Sequence, residues 1–261
     1  MRRLFESPAF ISLFCGLIVA YSNLATVVSQ EPDKPSQPGG ESAVDPSLLP
    51  SGEVIRPAGE TISYYGRPID IASFPAKSLL FVKDRSSLLV IDAVKFEIRQ
   101  SIELKGGASI NGITVLKDGT VLVSNAQNQL QSFQANSDGL YELKRKVEFA
   151  SSSYPCGVCV NRAETRAFVA LSKRNSVAVV DLATFALVRE IEVGVAPFDV
   201  ALSGDETKLI VSNIGGRRPD EGEATAPSAG TEVVVDARGI AATGSVSVID
   251  VQENKLFYNV R

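Results

Sequence analysis

The chain has 261 residues, 44% hydrophobic and 21% charged, with a formal net charge of -4; that balance suits one or two soluble globular domains with a real core. Mild acidity offers no electrostatic attraction to nucleic acid or to an anionic membrane. Histidine is absent, which removes His-based acid/base catalysis, His-ligated metals and His-ligated haem together.

Residues 1–29 read as a signal peptide. Arg2 and Arg3 precede an apolar run from Ala9 to Tyr21, long enough for a signal core and short of the roughly 20 residues of a membrane span. Small residues suited to cleavage follow at Ser22, Ala25 and Ser29. An uncleaved N-terminal anchor is the competing reading. Either way the folded part is expected outside the cytoplasm: periplasmic, secreted or at the cell surface. Residues 30–59 are Pro-rich with little apolar material and read as a disordered linker. The fold is expected to begin near residue 60.

From there short Val/Ile/Leu-rich strands alternate with polar turns, and nothing sustains a 3.6-residue apolar period. The pattern repeats about every 42 residues. Pro68, Pro155 and Pro197 open the first, third and fourth units, Asn125 and Asn213 each close a "VSN", and Asp92, Asp181 and Asp250 each close a "VID" or "VVD". Four strands per 40–45-residue unit indicate a β-propeller blade, whereas a β-sandwich would not need landmarks at a fixed period. The fold class is therefore all-β, with four four-stranded blades at about 66–105, 107–150, 154–193 and 194–261. The fourth carries an insert over residues 214–243. "GETISYYG", residues 59–66, reads as a further strand, the outer strand of a preceding blade, and has no visible home.

"LIVSN…SVSVID" and "VLVSN" resemble the YVTN repeat, and residues 60–261 are similar to YncE-like propellers of that family. The segment "GGRRPDEGEATAPSAGTEVVVDARGIAATGSVSVID" resembles the insert-bearing blade of exported bacterial proteins that join such a propeller to an alkaline-phosphatase-like phosphoesterase domain. The resemblance implies a ring of seven blades, of which these four would be an incomplete part. It also implies that a partner is a phosphoesterase domain of the same parent. It assigns no catalytic residue here.

Candidate site residues follow from propeller topology. The start of the first strand and the end of the second share one rim, which puts the insert beside the channel mouth, where a long loop on a rigid scaffold suits binding. Arg217 and Arg218 could pair with carboxylate or phosphate, yet Asp220 and its acidic neighbours leave the loop net negative. A solvated insertion with self-paired charges, docking against another domain, and small-ligand binding all stay open. Asp70 and Asp199, with Asn111 and Gly157 at matching positions, are expected to form a partial polar ring at the mouth. Cys156 and Cys159 read as structural thiols. The "PCGVC" motif lacks the histidine of haem attachment, zinc would need two more ligands, and residues three apart in a regular strand face opposite ways, although a turn at Gly157 would still permit a disulfide. No metal, cofactor or catalytic set is assigned. The function expected is that of an exported non-catalytic scaffold that binds a partner domain or ligand at its channel-mouth face.

Overall fold

The computed structural model describes residues 51–54, 58–228, 230–241 and 243–260; the expected signal peptide and most of the expected linker lie outside them. Contacts divide the chain between Glu60 and Thr61, and the second unit, Thr61–Arg261, holds every strand element.

That unit is an incomplete β-propeller of four antiparallel sheets, as the repeat predicts. Blade 1 comprises β1 (Pro68–Phe74), β2 (Leu79–Asp84), β3 (Ser87–Asp92) and β4 (Glu97–Glu103). Blade 2 comprises β5 (Ala108–Val115), β6 (Val121–Asn125), β7 (Gln129–Ala135) and β8 (Tyr141–Glu148). Blade 3 comprises β9 (Pro155–Val160), β10 (Arg166–Leu171), β11 (Ser176–Asp181) and β12 (Ala186–Glu192). In blade 4, β13 (Pro197–Leu202) and β14 (Lys208–Asn213) are followed by a small insert hairpin. That hairpin pairs β15 (Thr225–Ser228) with β16 (Thr231–Val234), and β17 (Ser245–Asp250) and β18 (Lys255–Val260) then complete the sheet. First strands lie side by side in the order β1, β5, β9, β13.

The repeated landmarks have local causes. Asp92 accepts the amides of Val94 and Lys95, Asp181 that of Thr184, and Asp250 those of Gln252 and Glu253. Each carboxylate so caps the turn into the fourth strand. A β-bulge recurs in all four blades between the third and fourth strands, at Val90/Ile91, Ser132/Phe133, Val179/Val180 and Val248/Ile249, and adds local twist at one fixed place. Asn128 and Asn175, both left-handed (φ 62° and 53°), a conformation asparagine tolerates, bridge one blade to the next. Asn128 Oδ1 accepts the amides of Ser153 and Tyr154 at 2.8 and 3.2 Å, and Asn175 Oδ1 accepts that of Ala196 at 2.9 Å. Each asparagine thus clips the Pro turn of the following blade.

Both faces of a middle blade are apolar. Phe81, Leu88 and Leu104 of blade 1 pack on Val121, Val123 and Phe133 of blade 2. Leu122 and Leu130 of blade 2 meet Val169, Leu171 and Val180 of blade 3. Phe168, Val177 and Val179 of blade 3 meet Leu209, Val211 and Ile249 of blade 4. The outer faces of the arc differ from each other. Residues 59–66 form no strand, contrary to expectation, and side chains hold the segment instead. Ile62 and Tyr64 lie on Val82, Leu89 and Ile91 of blade 1, and the Tyr64 hydroxyl donates to Asp84 at 3.3 Å. On blade 4 the far face is open. Ile210 stands where β6 has Leu122, yet is 42% exposed against 0%, and Phe257 and Tyr258 beside it are exposed as well.

Equivalent truncations at these two positions should therefore differ. Leu122→Ala should cost about 2–5 kcal/mol by opening a cavity between blades, and Ile210→Ala under about 1 kcal/mol. Urea unfolding of both variants measures the contrast. A second expectation concerns acid. Amide hydrogen bonds hold the carboxyls of Asp92 and Asp181 below the usual range, Lys208 chiefly holds that of Asp250, and the Ser203 hydroxyl and the Thr207 amide hold that of Asp205 at about 2. A depressed carboxyl stabilises the fold above its unfolded value, and that stability is lost as pH falls through the folded value. Denaturant midpoints should accordingly fall progressively from about pH 4 to about pH 2.

Candidate functional site

All four first strands contribute to one central cavity of about 530 Å³. Asp70 from β1, Asn111 and Gly112 from β5, Val158 from β9 and Asp199 from β13 line it. The three polar residues singled out in the sequence thus face one space. Register shifts after Pro68 and Pro197 turn Asp70 and Asp199 toward it, as bulges re-aim side chains. Asp70 Oδ2 accepts the Gly112 amide at 2.8 Å, tying β1 to β5, while its Oδ1 accepts from Ile71. Asp199 Oδ1 accepts the Val200 amide at 2.9 Å. Glycine is required at two approaches: a Cβ on Gly112 (φ 103°) would stand 2.0 Å from the Cys156 carbonyl oxygen, and one on Gly157 would stand 2.2 Å from Asp199 Oδ1.

Behind this wall lies Lys83, a residue sequence reasoning missed. It occupies the β2 position matched by Ser124, Ala170 and Ser212 in the other blades, and it is fully buried. Its ammonium donates to Ser109 Oγ (2.9 Å), Ser124 Oγ (3.1 Å) and the carbonyls of Asn111 and Gly112. Ser124 Oγ in turn donates to the Cys156 carbonyl at 2.7 Å, so one polar knot spans blades 1, 2 and 3 and fixes the irregular part of β5. Burial pushes the Lys83 ammonium down to about 7, against the favourable field of the Asp70 carboxylate. The signal available in sequence was a lysine interrupting an apolar strand at a repeat position held elsewhere by small residues.

Cys156 is fully buried and Cys159 half-buried, and they form no disulfide. Both pack toward blade 4, not on opposite faces, because an irregularity in β9 between Pro155 and Val158 resets the alternation. Burial raises the two thiols to about 11 and 12, which keeps them protonated and poor nucleophiles at neutral pH. Among the described residues no group of three or more Cys, Asp or Glu is placed to hold a metal ion, and no helix is long and apolar enough to cross a membrane.

The insert folds back over the rim. Arg218 donates from Nε to the Val193 carbonyl (2.9 Å) and from Nη2 to the Asn175 carbonyl (3.0 Å), with Glu192 3.4 Å away. Thr231 accepts from Asn175 Nδ2 at 2.9 Å, and Val233 is buried. Arg217 stays within the loop, paired with Glu223 and with Asp220 at 3.1 Å; Asp220 also donates its amide to Glu223. The structure therefore separates the two arginines from Asp70, Asn111 and Asp199. One arginine staples the insert to blade 3, and the other fastens the insert's own bend. Hairpin residues Ser228, Thr231 and Val233 and the Pro-turn residues Tyr154, Val195 and Ala196 together wall a smaller cavity of about 320 Å³.

These features define a propeller-like all-β protein with a channel-mouth insert. No protein-family model and no curated protein matches the chain. Among solved structures it is similar to hydrazine synthase of Kuenenia stuttgartiensis, with a TM-score of 0.55 at 19% identity, covering 78% of this chain and 52% of that one. It is also similar to a protein of unknown function from Bacteroides caccae, with a TM-score of 0.52 at 14% identity, covering 81% and 66%. The chain spans about half the length of the hydrazine synthase chain. At such identities the likeness shows the fold alone.

The Lys83 knot has a measurable consequence. An unfolded lysine keeps its proton to about 10.5, so above pH 7 the unfolded chain binds the extra proton and stability climbs with pH. The thiols oppose this as pH approaches 9, where unfolded cysteines are half ionised. Unfolding free energy should therefore rise between pH 7 and 9, and Lys83→Met should flatten that rise in urea titrations at pH 7, 8 and 9.

Proposed function

We propose that the chain is an exported, non-catalytic β-propeller scaffold of the YVTN-repeat, YncE-like type, which binds or positions a partner at its channel-mouth face. One observation carries the reading: about thirty inserted residues interrupt a hairpin that its flanking strands still complete, and the described ones fold back across the Pro turns. Arg218 and Val233 hold them there. A loop fixed on a rigid scaffold in this way presents a surface, and presentation is the usual work of such loops. The partner is a protein domain or a small ligand. Export rests on the order of basic start, short apolar run and Pro-rich tether.

A second reading, that this is the propeller portion of a phosphoesterase whose catalytic domain is not in this chain, is favoured by the open face of blade 4. Ile210, Phe257 and Tyr258 suit a further blade packed against them, from this chain's parent or from a partner.

A photo-crosslinking residue at Glu232, on the insert, should capture a partner in the extracytoplasmic fraction of cells expressing the full chain. The same residue at Asp205, exposed in the β13–β14 turn away from the insert, should not. Equal capture from both positions sinks the binding reading. Retention of the whole product in the cytoplasm sinks export. Replacing residues 214–243 by an Asn-Gly turn should abolish capture while costing about 1–3 kcal/mol for the lost hydrogen bonds and the buried valine.

A further inference from the structure

We propose that the cavity under the insert binds a small amphiphilic anion, an apolar body bearing one carboxylate-like group, with the body against Tyr154 and Val233 and the anionic group at the basic rim. This deepens the binding reading above and rests on it.

The cavity's size and walls set the first half of the specification. At about 320 Å³ it sits at the small end of the roughly 300–1,000 Å³ typical of ligand pockets. Its walls are mostly apolar and include Ile110, Tyr154, Val195, Ile214, Val233 and Ala241. These side chains come from the rims of three blades and from the insert, so the pocket exists only because the insert folds back.

Charge supplies the second half. Lys173 lines the cavity with its ammonium 5.6 Å from the centre of the Tyr154 ring. On the other side of Tyr154 and Ile110 a second cavity, of about 520 Å³, is lined by Arg67 and Arg85. None of these three cations forms an ion pair among the described residues, whereas Arg217 and Arg218 are both engaged. Asp70 and Asp199 face the adjoining central cavity. An anion is therefore held at the rim and repelled from the channel beyond.

Tyr154 gives an independent pointer. Its backbone is left-handed (φ 49°) directly before Pro155, and Ala196 (φ 52°) takes the same conformation before Pro197. A bulky residue is disfavoured there, and alanine performs the backbone role equally well in blade 4. The ring is thus not needed for the turn. It stands as a partition shared by the apolar and the basic cavity, where an aromatic face suits the apolar body of such a ligand.

Isothermal titration of the full chain with octanoate, octan-1-ol and octylammonium tests this. Octanoate should bind, the alcohol more weakly and the ammonium not at all. Lys173→Gln should weaken octanoate at least five-fold. Ala241→Trp should abolish binding by filling the cavity; Ala241 is exposed in the insert, and thermal melts should confirm that both variants stay folded. Octanol binding as tightly as octanoate, or octanoate binding unchanged in Ala241→Trp, overturns the proposal. If octanoate fails to bind while Glu232 still captures a protein, the ligand inference falls and the scaffold reading stands. Failure of both experiments removes both.

Discussion

Each middle blade in this protein is a sheet with two apolar faces, and the fold depends on those faces finding another sheet. A single sheet of four short strands cannot bury enough surface to offset the entropy of ordering it. Stacking solves this in one direction only, along the arc, which is why the same strand position reads apolar in every repeat. Where burial is complete, as at Leu122, the side chain supplies on the order of 1.5–3 kcal/mol. Where the stack stops, as at Ile210, the same type of residue supplies little.

Close stacking of curved sheets also demands small residues and satisfied polar groups near the channel. Gly112 and Gly157 meet the first demand by letting neighbouring inner strands approach within contact of bare backbone. Lys83 meets the second at one seam only. Its three donors reach two hydroxyls and two carbonyls, and carbonyls left bare there would carry a full desolvation penalty. The seam between blades 1 and 2 is thereby specified by a buried cation, whereas asparagine clips from Asn128 and Asn175 add to shape at the other two.

Much of this was legible in the chain. The recurrence of Pro68, Pro155 and Pro197, and of Asp92, Asp181 and Asp250, marks turns whose chemistry is local, and local chemistry survives in sequence. Asn128 and Asn175 were just as regular but were passed over, because their role depends on an amide in the next blade. The shared facing of Cys156 and Cys159 was misread for a related reason: strict alternation assumes no bulge, and the bulge in β9 has no signature of its own. The segment at residues 59–66 has strand-like composition, yet composition does not reveal whether a segment pairs into a sheet. The insert's charges read as net negative and left solvation, docking and ligand binding open, while its course is set by carbonyls at Asn175 and Val193 that no side-chain pattern announces. Asn213 shows the cost of that course. Its counterpart Asn125 closes a tight turn by accepting the amides of Gln127 and Gln129, whereas Asn213 Oδ1 is buried without a partner because the insert has carried those amides away.

The two outer faces of these four blades offer unequal surfaces to another sheet. Head-to-tail addition would have to seat the open face of blade 4 on the outer face of blade 1 in the next molecule, repeating without closure into a filament. Ile62 and Tyr64 occupy that receiving surface. Two copies can still meet through their blade 4 faces about a two-fold axis, and a different polypeptide can add a sheet there. Among the described residues, a short stretch of chain thus covers apolar side chains that a stacked sheet would otherwise meet.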